Sequence, residues 1–244
     1  MSKKLRLLRL GTVPYGQALA LQMDLRERLR SRAPDDDFIG YVLALEHPKT
    51  VTLGKRGSFE DLVNHRWLTE EGVEVFKIDR GGEATYHEPG QLVVYPIIQL
   101  EALQMGVVDL IRGMAACLAD TVAEYGVASA YDPDHPGLWT TDEEPPRKIA
   151  SVGMRVQRGV TTHGVAMNLV NEMIGFSMIV ACGMPNAPIA RLADYCGDGE
   201  VDLEGFRERF LEIFEEFLEV PLVASDLEMP AEDDWVRADT GWIE

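Results

Sequence analysis

The chain has 244 residues, 46% of them apolar, which is typical of one large globular unit with a sizeable core. Its formal net charge of −18 argues against nucleic-acid binding, because that needs a basic surface. No apolar run approaches the roughly 20 residues of a membrane span, and the three cysteines form no Cys-x-x-Cys pair. We therefore expect a cytoplasmic protein with no nucleic-acid or membrane partner.

The acidity is concentrated near the C-terminus. Residues 198–244 contain 16 acids and 3 arginines, which leaves 25 acids and 20 basic residues over residues 1–197. The charge therefore says little about a site in the larger part. We expect residues 1–200 to form one domain and residues 201–244 to add an amphipathic helix and an acidic extension packed on it.

Hydrophobic periodicity predicts alternating strands and helices in the first half of the chain. The predicted elements are a strand at 4–10, a helix over Tyr15–Arg30, a strand at 38–45, a short strand and basic glycine turn at 51–57, a helical segment at 62–71 and a strand at 73–78. His47 follows the second strand, just before a proline. A histidine there faces a cleft or serves as a capping or core residue, and both interpretations stay open.

The second half follows the same pattern. Its predicted elements are a strand at 92–98, a helix at 107–125, a loop-rich segment at 131–141, strands at 147–156 and 160–169 joined by a turn at Arg158-Gly159, and a helix that begins after Asp202. Four cations and no acid occur in residues 147–158. They predict either a docking patch for an acidic partner or a strand edge protected by charge.

Residues 80–91 read Arg-Gly-Gly-Glu-Ala-Thr-Tyr-His-Glu-Pro-Gly-Gln and lead directly into the strand at 92–98. Glycine lets a backbone turn tightly or lie against a ligand. The Pro89-Gly90 pair is typical of a turn. The segment is therefore either the floor of a binding site or an ordinary connecting loop.

Cys182 and Lys148 are the residues with the clearest chemistry. A thiol is a nucleophile only as the thiolate, and a nearby ammonium lowers the pKa of a thiol below about 8.5. Without a phosphate-binding loop or dinucleotide fingerprint, such a pair suggests acyl transfer through a thioester. A metal site from His47, His87, His163 and Cys182 is conceivable by residue type. No pair among them has ligand spacing, so we expect neither metal nor cofactor.

Six segments together resemble the octanoyltransferases of protein lipoylation. They are Leu45-Glu-His-Pro48, Thr52-Leu-Gly54, Arg80-Gly-Gly-x-x-Thr-Tyr-His-x-Pro-Gly-Gln91, Lys148-Ile-Ala-Ser-x-Gly-x-Arg155, Thr162-His-Gly-x-Ala-x-Asn168 and Cys182-Gly183. The resemblance covers roughly residues 40–185, in the family's order. The sequence departs from the family at Glu83, at Glu88 and at Ala190-Arg191-Leu192, where glutamine, glycine and Thr-Ser-Leu are usual.

The resemblance implies an α+β fold, a mixed sheet flanked by helices, like the catalytic domains of biotin and lipoate protein ligases. It also implies a reaction in which octanoyl, or lipoyl, passes from acyl carrier protein to a lysine ε-amine. The acceptors would be lipoyl domains and glycine-cleavage H-type proteins. We expect a monomer that needs no cofactor.

Residue roles follow from the same resemblance. Cys182 would be the acyl-thioester nucleophile, and Lys148 would lower the pKa of its thiol and shuttle protons. His47 would be a supporting residue. The substrate-binding residues would be Arg80, Gly81, Gly82, Glu83, Ala84, Thr85, Tyr86, His87, Ser151, Val152, Gly153, Gly164, Val165 and Ala166.

Two other functions remain open at this point. An ATP-dependent lipoate or biotin ligase on the same fold would form an acyl-adenylate and would not need Cys182. A non-catalytic module that binds acyl groups or lipoyl domains would form no covalent intermediate.

Overall fold

The computed structural model of the chain describes residues 3–33, 36–181, 183–185, 187–197 and 200–242. Within these ranges it contains eleven strands and five α-helices. In chain order they are β1 (Lys4–Thr12), α1 (Tyr15–Arg30), β2 (Phe38–Glu46), β3 (Thr50–Leu53), α2 (His65–Glu70), β4 (Glu74–Lys77), β5 (Ala84–His87), β6 (Gln91–Ile98), α3 (Leu100–Leu103), α4 (Val107–Ala123), β7 (Ser129–Asp132), β8 (Gly137–Thr140), β9 (Lys148–Gln157), β10 (Val160–Asn168), α5 (Leu203–Leu218) and β11 (Leu222–Ala224).

The strands form two sheets. The large sheet has the order β11-β1-β2-β6-β10-β9-β8-β7, and the small sheet has the order β4-β3-β5. β1 runs parallel to β2 and β11, while β6, β10, β9 and β8 pair in antiparallel fashion. This mixed architecture with flanking helices confirms the predicted fold class.

Opposite faces of the large sheet pack on different helices because successive side chains alternate along a strand. Val42 and Ala44 of β2 join the core beneath α4 and α5, whereas Leu43 and Leu45 join the core beneath α1. Phe210, a residue of α5, is fully buried. Burying such a side chain contributes about 1.5–3 kcal/mol. Among the described helices, none is long and apolar enough to cross a lipid bilayer.

The centre of the large sheet contains an irregularity where β6 meets β10. Pro96 of β6 has no N–H, so it cannot donate to the sheet ladder. The Thr161 hydroxyl donates to the Pro96 carbonyl (2.6 Å) and accepts from the Ile98 N–H (2.9 Å). Two residues later His163 adopts a left-handed backbone with φ of 59°, which is rare for a side-chain-bearing residue. Regular pairing resumes at Val165.

Most predicted elements are confirmed, and three need correction. Residues 131–141 contribute to strands β7 and β8, residues 84–87 form strand β5, and the helix expected at 62–71 is confined to His65–Glu70. These pieces are too short for periodicity to separate strand, helix and loop.

The residues after β11 fold back over α1 and the small sheet. The Val236 N–H donates to the Gly16 carbonyl (3.2 Å), and the Asp239 N–H donates to the Val75 carbonyl (2.7 Å). The Lys77 N–H donates to the Asp239 carboxylate (2.6 Å). Residues 236–242 thus form a C-terminal strap that ties the small sheet to α1.

Candidate active site

A cavity of about 500 Å³ lies between the small sheet and strands β9 and β10 of the large sheet. Fourteen sequence-predicted site residues line it: Arg80, Gly81, Gly82, Glu83, Ala84, Thr85, His87, Lys148, Ser151, Val152, Gly153, Gly164, Val165 and Ala166. The structure therefore brings three segments that are distant in sequence to one cavity.

Two predicted residues do not line this cavity. Tyr86 faces the other side of β5, where its ring packs against Phe176 (5.8 Å between centroids). Tyr86, expected among the substrate-binding residues, therefore does not line this cavity, because side chains alternate along a strand. His47 lies one layer behind the wall, with its ring 5.5 Å from that of His87.

Cys182 lies outside the described residues. Its neighbours in sequence border the cavity wall: Ala181 forms an isolated β-bridge with Ala84, and Gly183 lines the cavity. Gly183 has a φ of 69°, a backbone conformation that favours glycine.

Lys148 is buried, with 3% of its surface exposed. Its ammonium donates to the Pro136 carbonyl (2.9 Å) and lies 5.6 Å from the centroid of the Trp139 ring. The stem of the lysine passes over Gly137, where a Cβ would lie 2.3 Å from Lys148 Cε. Glycine at 137 therefore makes room for the lysine, a function that the sequence analysis missed.

Arg80 holds the cavity loop in place. Its guanidinium donates to the carbonyls of Thr52 (2.7 Å), Glu83 (2.8 Å) and Gly81 (2.9 Å). Gly54 allows this approach, since a Cβ there would lie 2.5 Å from the Gly82 carbonyl. A charged donor bonded to several carbonyls fixes the loop at residues 80–83 against β3.

The residues that differ from the usual family motifs are held by hydrogen bonds or ion pairs. Glu83 pairs with Arg56 (2.8 Å) at the cavity rim. The buried Glu88 carboxylate accepts from the Met173 N–H (2.7 Å) and the Asn171 amide (3.1 Å), which anchors the chain after β10. Arg191 donates to the Asn171 carbonyl (2.7 Å), so it anchors the same segment from the other side.

Buried histidines beside the cavity are held neutral. Desolvation lowers the pKa of His47 to about 4, and desolvation with the nearby His47 lowers the pKa of His87 to about 3. The His47 Nδ1–H donates to the Val13 carbonyl (2.7 Å), which leaves Nε2 to accept from the Tyr95 hydroxyl (2.9 Å). Gln91 donates its amide N–H to Asn168 (2.8 Å), so its oxygen accepts from His87 Nδ1–H (2.7 Å).

Several cavity residues were not predicted from the sequence. Tyr15 and Tyr95 line the cavity from α1 and β6. His163 does so from β10, and its Nε2 lies 3.2 Å from the Asp79 carboxylate. That contact lowers the pKa of Asp79, while burial lowers the pKa of His163. Tyr15 opens a helix after a proline, and no local signal distinguishes it from a core residue.

The four cations of residues 147–158 lie in different surroundings. Lys148 is buried, Arg147 lies 3.7 Å from Asp194, Arg155 lies 3.4 Å from Asp79, and Arg158 is exposed. Over the described part of the chain, no group of three His, Cys, Asp or Glu side chains is placed to hold a metal ion.

The chain matches known proteins over most of its length. The family "Lipoyl protein ligase A/B catalytic domain" matches residues 14–215. An octanoyltransferase of Corynebacterium efficiens is 41% identical over 191 residues, covering 77% of this chain and 72% of that protein. An octanoyltransferase of Christiangramia forsetii is 32% identical over 231 residues, covering 91% and 99%. The chain belongs to the octanoyltransferase family.

The fold of this octanoyltransferase is also found in a solved lipoate protein ligase. The bi-partite lipoate protein ligase of Thermoplasma acidophilum, studied with its E2 lipoyl domain, superposes with a TM-score of 0.72 at 17% identity. The match covers 95% of this chain and 89% of that one. At this identity the likeness shows the fold alone. The resemblance inferred from the motifs is confirmed, and the protein is an acyltransferase.

The neutral histidines predict how the stability of the octanoyltransferase depends on pH. The pKa values of His47 and His87 are about 4 and about 3 in the native protein, against 6.5 ordinarily. Below pH 6.5 the unfolded chain therefore binds protons that the native protein does not. We expect the unfolding free energy, measured by urea denaturation, to fall between pH 6.5 and 5 by up to about 1.4 kcal/mol per pH unit for each histidine.

The control for the pH experiment is His65→Gln, which removes an exposed histidine and should keep the same slope. Carboxylates whose pKa is lowered in the native protein change the unfolding free energy only at lower pH. Glu208, for example, has a pKa of about 2 because of its hydrogen bond to Arg9. A free energy that stays constant from pH 7 to pH 5 would contradict burial of neutral imidazoles.

Gly164 has a packing requirement that is separate from its place in the cavity wall. A Cβ at this position would lie 2.0 Å from the Val94 carbonyl oxygen, and backbone atoms of a central strand cannot move away. We expect Gly164→Ala to lower the unfolding free energy by about 1–3 kcal/mol in urea denaturation. Gly81→Ala is the matched control, because its nearest atom would be 3.8 Å away. Equal stability of the two variants would refute this account.

Proposed function

We propose that this octanoyltransferase takes its octanoyl group from acyl carrier protein and passes it to a lysine ε-amine of a lipoyl domain. The intermediate is an acyl thioester on Cys182. The observation that carries the proposal is the buried Lys148 ammonium, which lines the same cavity as Gly183, the residue that follows Cys182. An ammonium close to a thiol lowers the pKa of that thiol and favours the nucleophilic thiolate.

In the first half-reaction the Cys182 thiolate attacks the carbonyl carbon of the acyl carrier thioester. A new carbon–sulfur bond forms, the bond to the carrier sulfur breaks, and the carrier thiolate leaves and takes up a proton. The Lys148 ammonium stabilises the attacking thiolate and supplies that proton. Proton transfer from a positioned side chain contributes typically 10²–10⁴-fold to the rate.

In the second half-reaction the acceptor lysine attacks the Cys182 thioester. Its ammonium has an ordinary pKa near 10.4 and must first lose a proton to solvent. The carbon–nitrogen bond of the amide then forms, and the attacking nitrogen gives its second proton to the now neutral Lys148 amine. The carbon–sulfur bond breaks, and the Cys182 thiolate is restored beside a recharged Lys148. Conversion of a thioester to an amide needs no ATP.

The cavity suits a medium-length acyl chain. Val152, Val165 and Met154 provide apolar walls along β9 and β10. Each buried CH₂ group contributes about 0.8 kcal/mol. Gly81, Gly153 and Ala166 leave space where larger side chains would fill the volume.

We also propose the acceptors and the setting. Lipoyl domains and glycine-cleavage H-type proteins are the acceptors; a T. acidophilum protein of this fold is described with its E2 lipoyl domain. The protein works as a cytoplasmic monomer. Residues 1–200 form the catalytic domain, and residues 201–244 are a packed extension of it, in keeping with the α5 phenylalanines that lie in the main core.

The runner-up function is ATP-dependent ligation, because a lipoate-protein ligase A solved with ATP shares the fold. Its 18% identity supports fold alone. A ligase would transfer the acyl group only when free fatty acid and ATP are supplied. It would do so without forming an adduct on Cys182.

The deciding experiment is the intact mass of the protein after incubation with octanoyl-acyl carrier protein, without ATP. We expect one octanoyl adduct, located on Cys182 by peptide mapping, that disappears when a lipoyl domain is added. Octanoylation of the lipoyl domain should appear at the same rate. No adduct, or an adduct on another residue, would refute the thioester mechanism.

A further inference from the structure

Two polar side chains of the cavity, near the end of β5, each have an atom with no hydrogen-bond partner in the described part of the chain. Tyr15 and His87 are buried residues that line the cavity, with rings nearly parallel and centroids 5.9 Å apart. No described residue hydrogen bonds to the Tyr15 hydroxyl or to His87 Nε2. Neither atom is sealed inside the protein, unlike Tyr86 Oη and His163 Nδ1, so both keep surface that a ligand can reach.

The protonation states of this pair are fixed by its surroundings. His87 Nδ1–H donates to Gln91, so Nε2 carries a lone pair and accepts. Burial lowers the pKa of His87 and raises that of Tyr15, which keeps Nε2 unprotonated and the phenol protonated. The cavity therefore offers one neutral O–H donor and one neutral nitrogen acceptor, on rings whose centroids are 5.9 Å apart.

The pair lies away from the part of the wall next to position 182. Ala84, at the start of β5, bridges to Ala181, while His87 ends the same strand. Ala84 and His87 are three steps apart along an extended strand, which corresponds to about 10 Å. An extended eight-carbon acyl chain has a similar length, so its far end would reach Tyr15 and His87.

An unsubstituted octanoyl chain cannot satisfy these groups. Its terminal methyl neither donates nor accepts a hydrogen bond, so the Tyr15 hydroxyl and His87 Nε2 would depend on trapped water. A terminal hydroxyl both donates and accepts. It would accept from the Tyr15 O–H and donate to His87 Nε2 without requiring a charge.

We propose that Tyr15 and His87 form a subsite that binds a hydroxyl at the distal end of the acyl chain, so that the enzyme accepts ω-hydroxyacyl groups beside octanoyl. This rests on the proposed function in taking the acyl chain to extend from position 182. The subsite makes Tyr15 a specificity-determining residue. It also explains why a cavity for an alkyl chain ends in polar side chains.

The test compares two ligands that cannot be transferred, the amide analogues of an octanoyl and an ω-hydroxyoctanoyl thioester. Calorimetry measures the ratio of their dissociation constants for the wild type and two variants. Tyr15→Phe removes only the hydroxyl. His87→Asn keeps an N–H toward Gln91 but removes Nε2. We expect each variant to shift the ratio against the hydroxylated ligand by about 5-fold to 10-fold, as for one neutral hydrogen bond.

The matched control is Tyr41→Phe, a half-buried tyrosine of β2 that does not line the cavity; it should leave the ratio unchanged. Thermal melting checks that each variant is folded. If one of the two variants does not fold, the other alone is enough for the test. The proposal is overturned by an unchanged ratio, by equal weakening of both ligands, or by a wild type that rejects the hydroxylated ligand. Binding involves no chemistry, so a missing Cys182 adduct in the mass experiment would be a separate result.

Discussion

Replacing Cys182 with alanine is expected to abolish octanoyl transfer, with a loss of at least about 10³-fold in kcat. Alanine cannot form the thioester, so no covalent intermediate stores the acyl group between donor and acceptor. The measurement is the rate of lipoyl-domain octanoylation, followed by mass, together with the adduct on the enzyme. Both signals should disappear together.

Cys196→Ala is the matched control for that loss. Cys196 is half-buried and lies 4.0 Å from the Tyr125 carbonyl, away from the residues that line the cavity. This variant should keep the adduct and the rate of the wild type. Transfer that persists in Cys182→Ala would leave the thioester mechanism untenable. If that transfer also requires free fatty acid and ATP, it would favour a ligase.

Replacing Lys148 with methionine is expected to slow both half-reactions by about 10²–10⁴-fold. The methionine side chain keeps much of the length of the lysine stem that packs over Gly137. It carries no charge and has no proton to transfer. The second readout is the alkylation of Cys182 by iodoacetamide as a function of pH. We expect its midpoint to move to higher pH, because an ammonium that favours the thiolate has been lost.

Lys49→Met is the control for the lysine substitution. Lys49 is partly exposed and pairs with Glu71 (2.5 Å) on the surface, so its loss should change neither the rate nor the alkylation profile. If Lys148→Met slows transfer while the alkylation midpoint stays in place, Lys148 moves protons without activating the thiol. Unchanged transfer would remove Lys148 from the mechanism.

The sequence was sufficient for the long elements and for most of the segments that meet at the cavity. Tyr15–Arg30 has its predicted bounds because its apolar spacing extends over four turns and Pro14 precedes its start. Most of residues 80–87 and strands β9 and β10 were assigned to one cavity from their motifs. Such motifs are informative because a wall close to a ligand needs glycines and small residues at fixed positions.

The remaining site residues depend on tertiary packing that no local pattern reveals. Tyr15 meets His87 only because α1 crosses the large sheet beside the small one, and its hydrophobic spacing is that of any core residue. Tyr86 points away from the cavity because residues 84–87 form the strand β5. A strand of four residues is too short for its sequence pattern to predict it. Glu88 and Arg191 looked like departures from the family. In the structure both residues hydrogen bond to the segment at residues 171–173, and no local sequence pattern reveals those contacts.

The C-terminal strap has a consequence for the order in which the protein is made. Val75 and Lys77 of β4 acquire their bonds to Asp239 only after residue 239 has been synthesised. The cavity wall on β5 belongs to the same small sheet as β4. During synthesis, α1 and the central strands can therefore assemble before the strap is available to tie the small sheet to them.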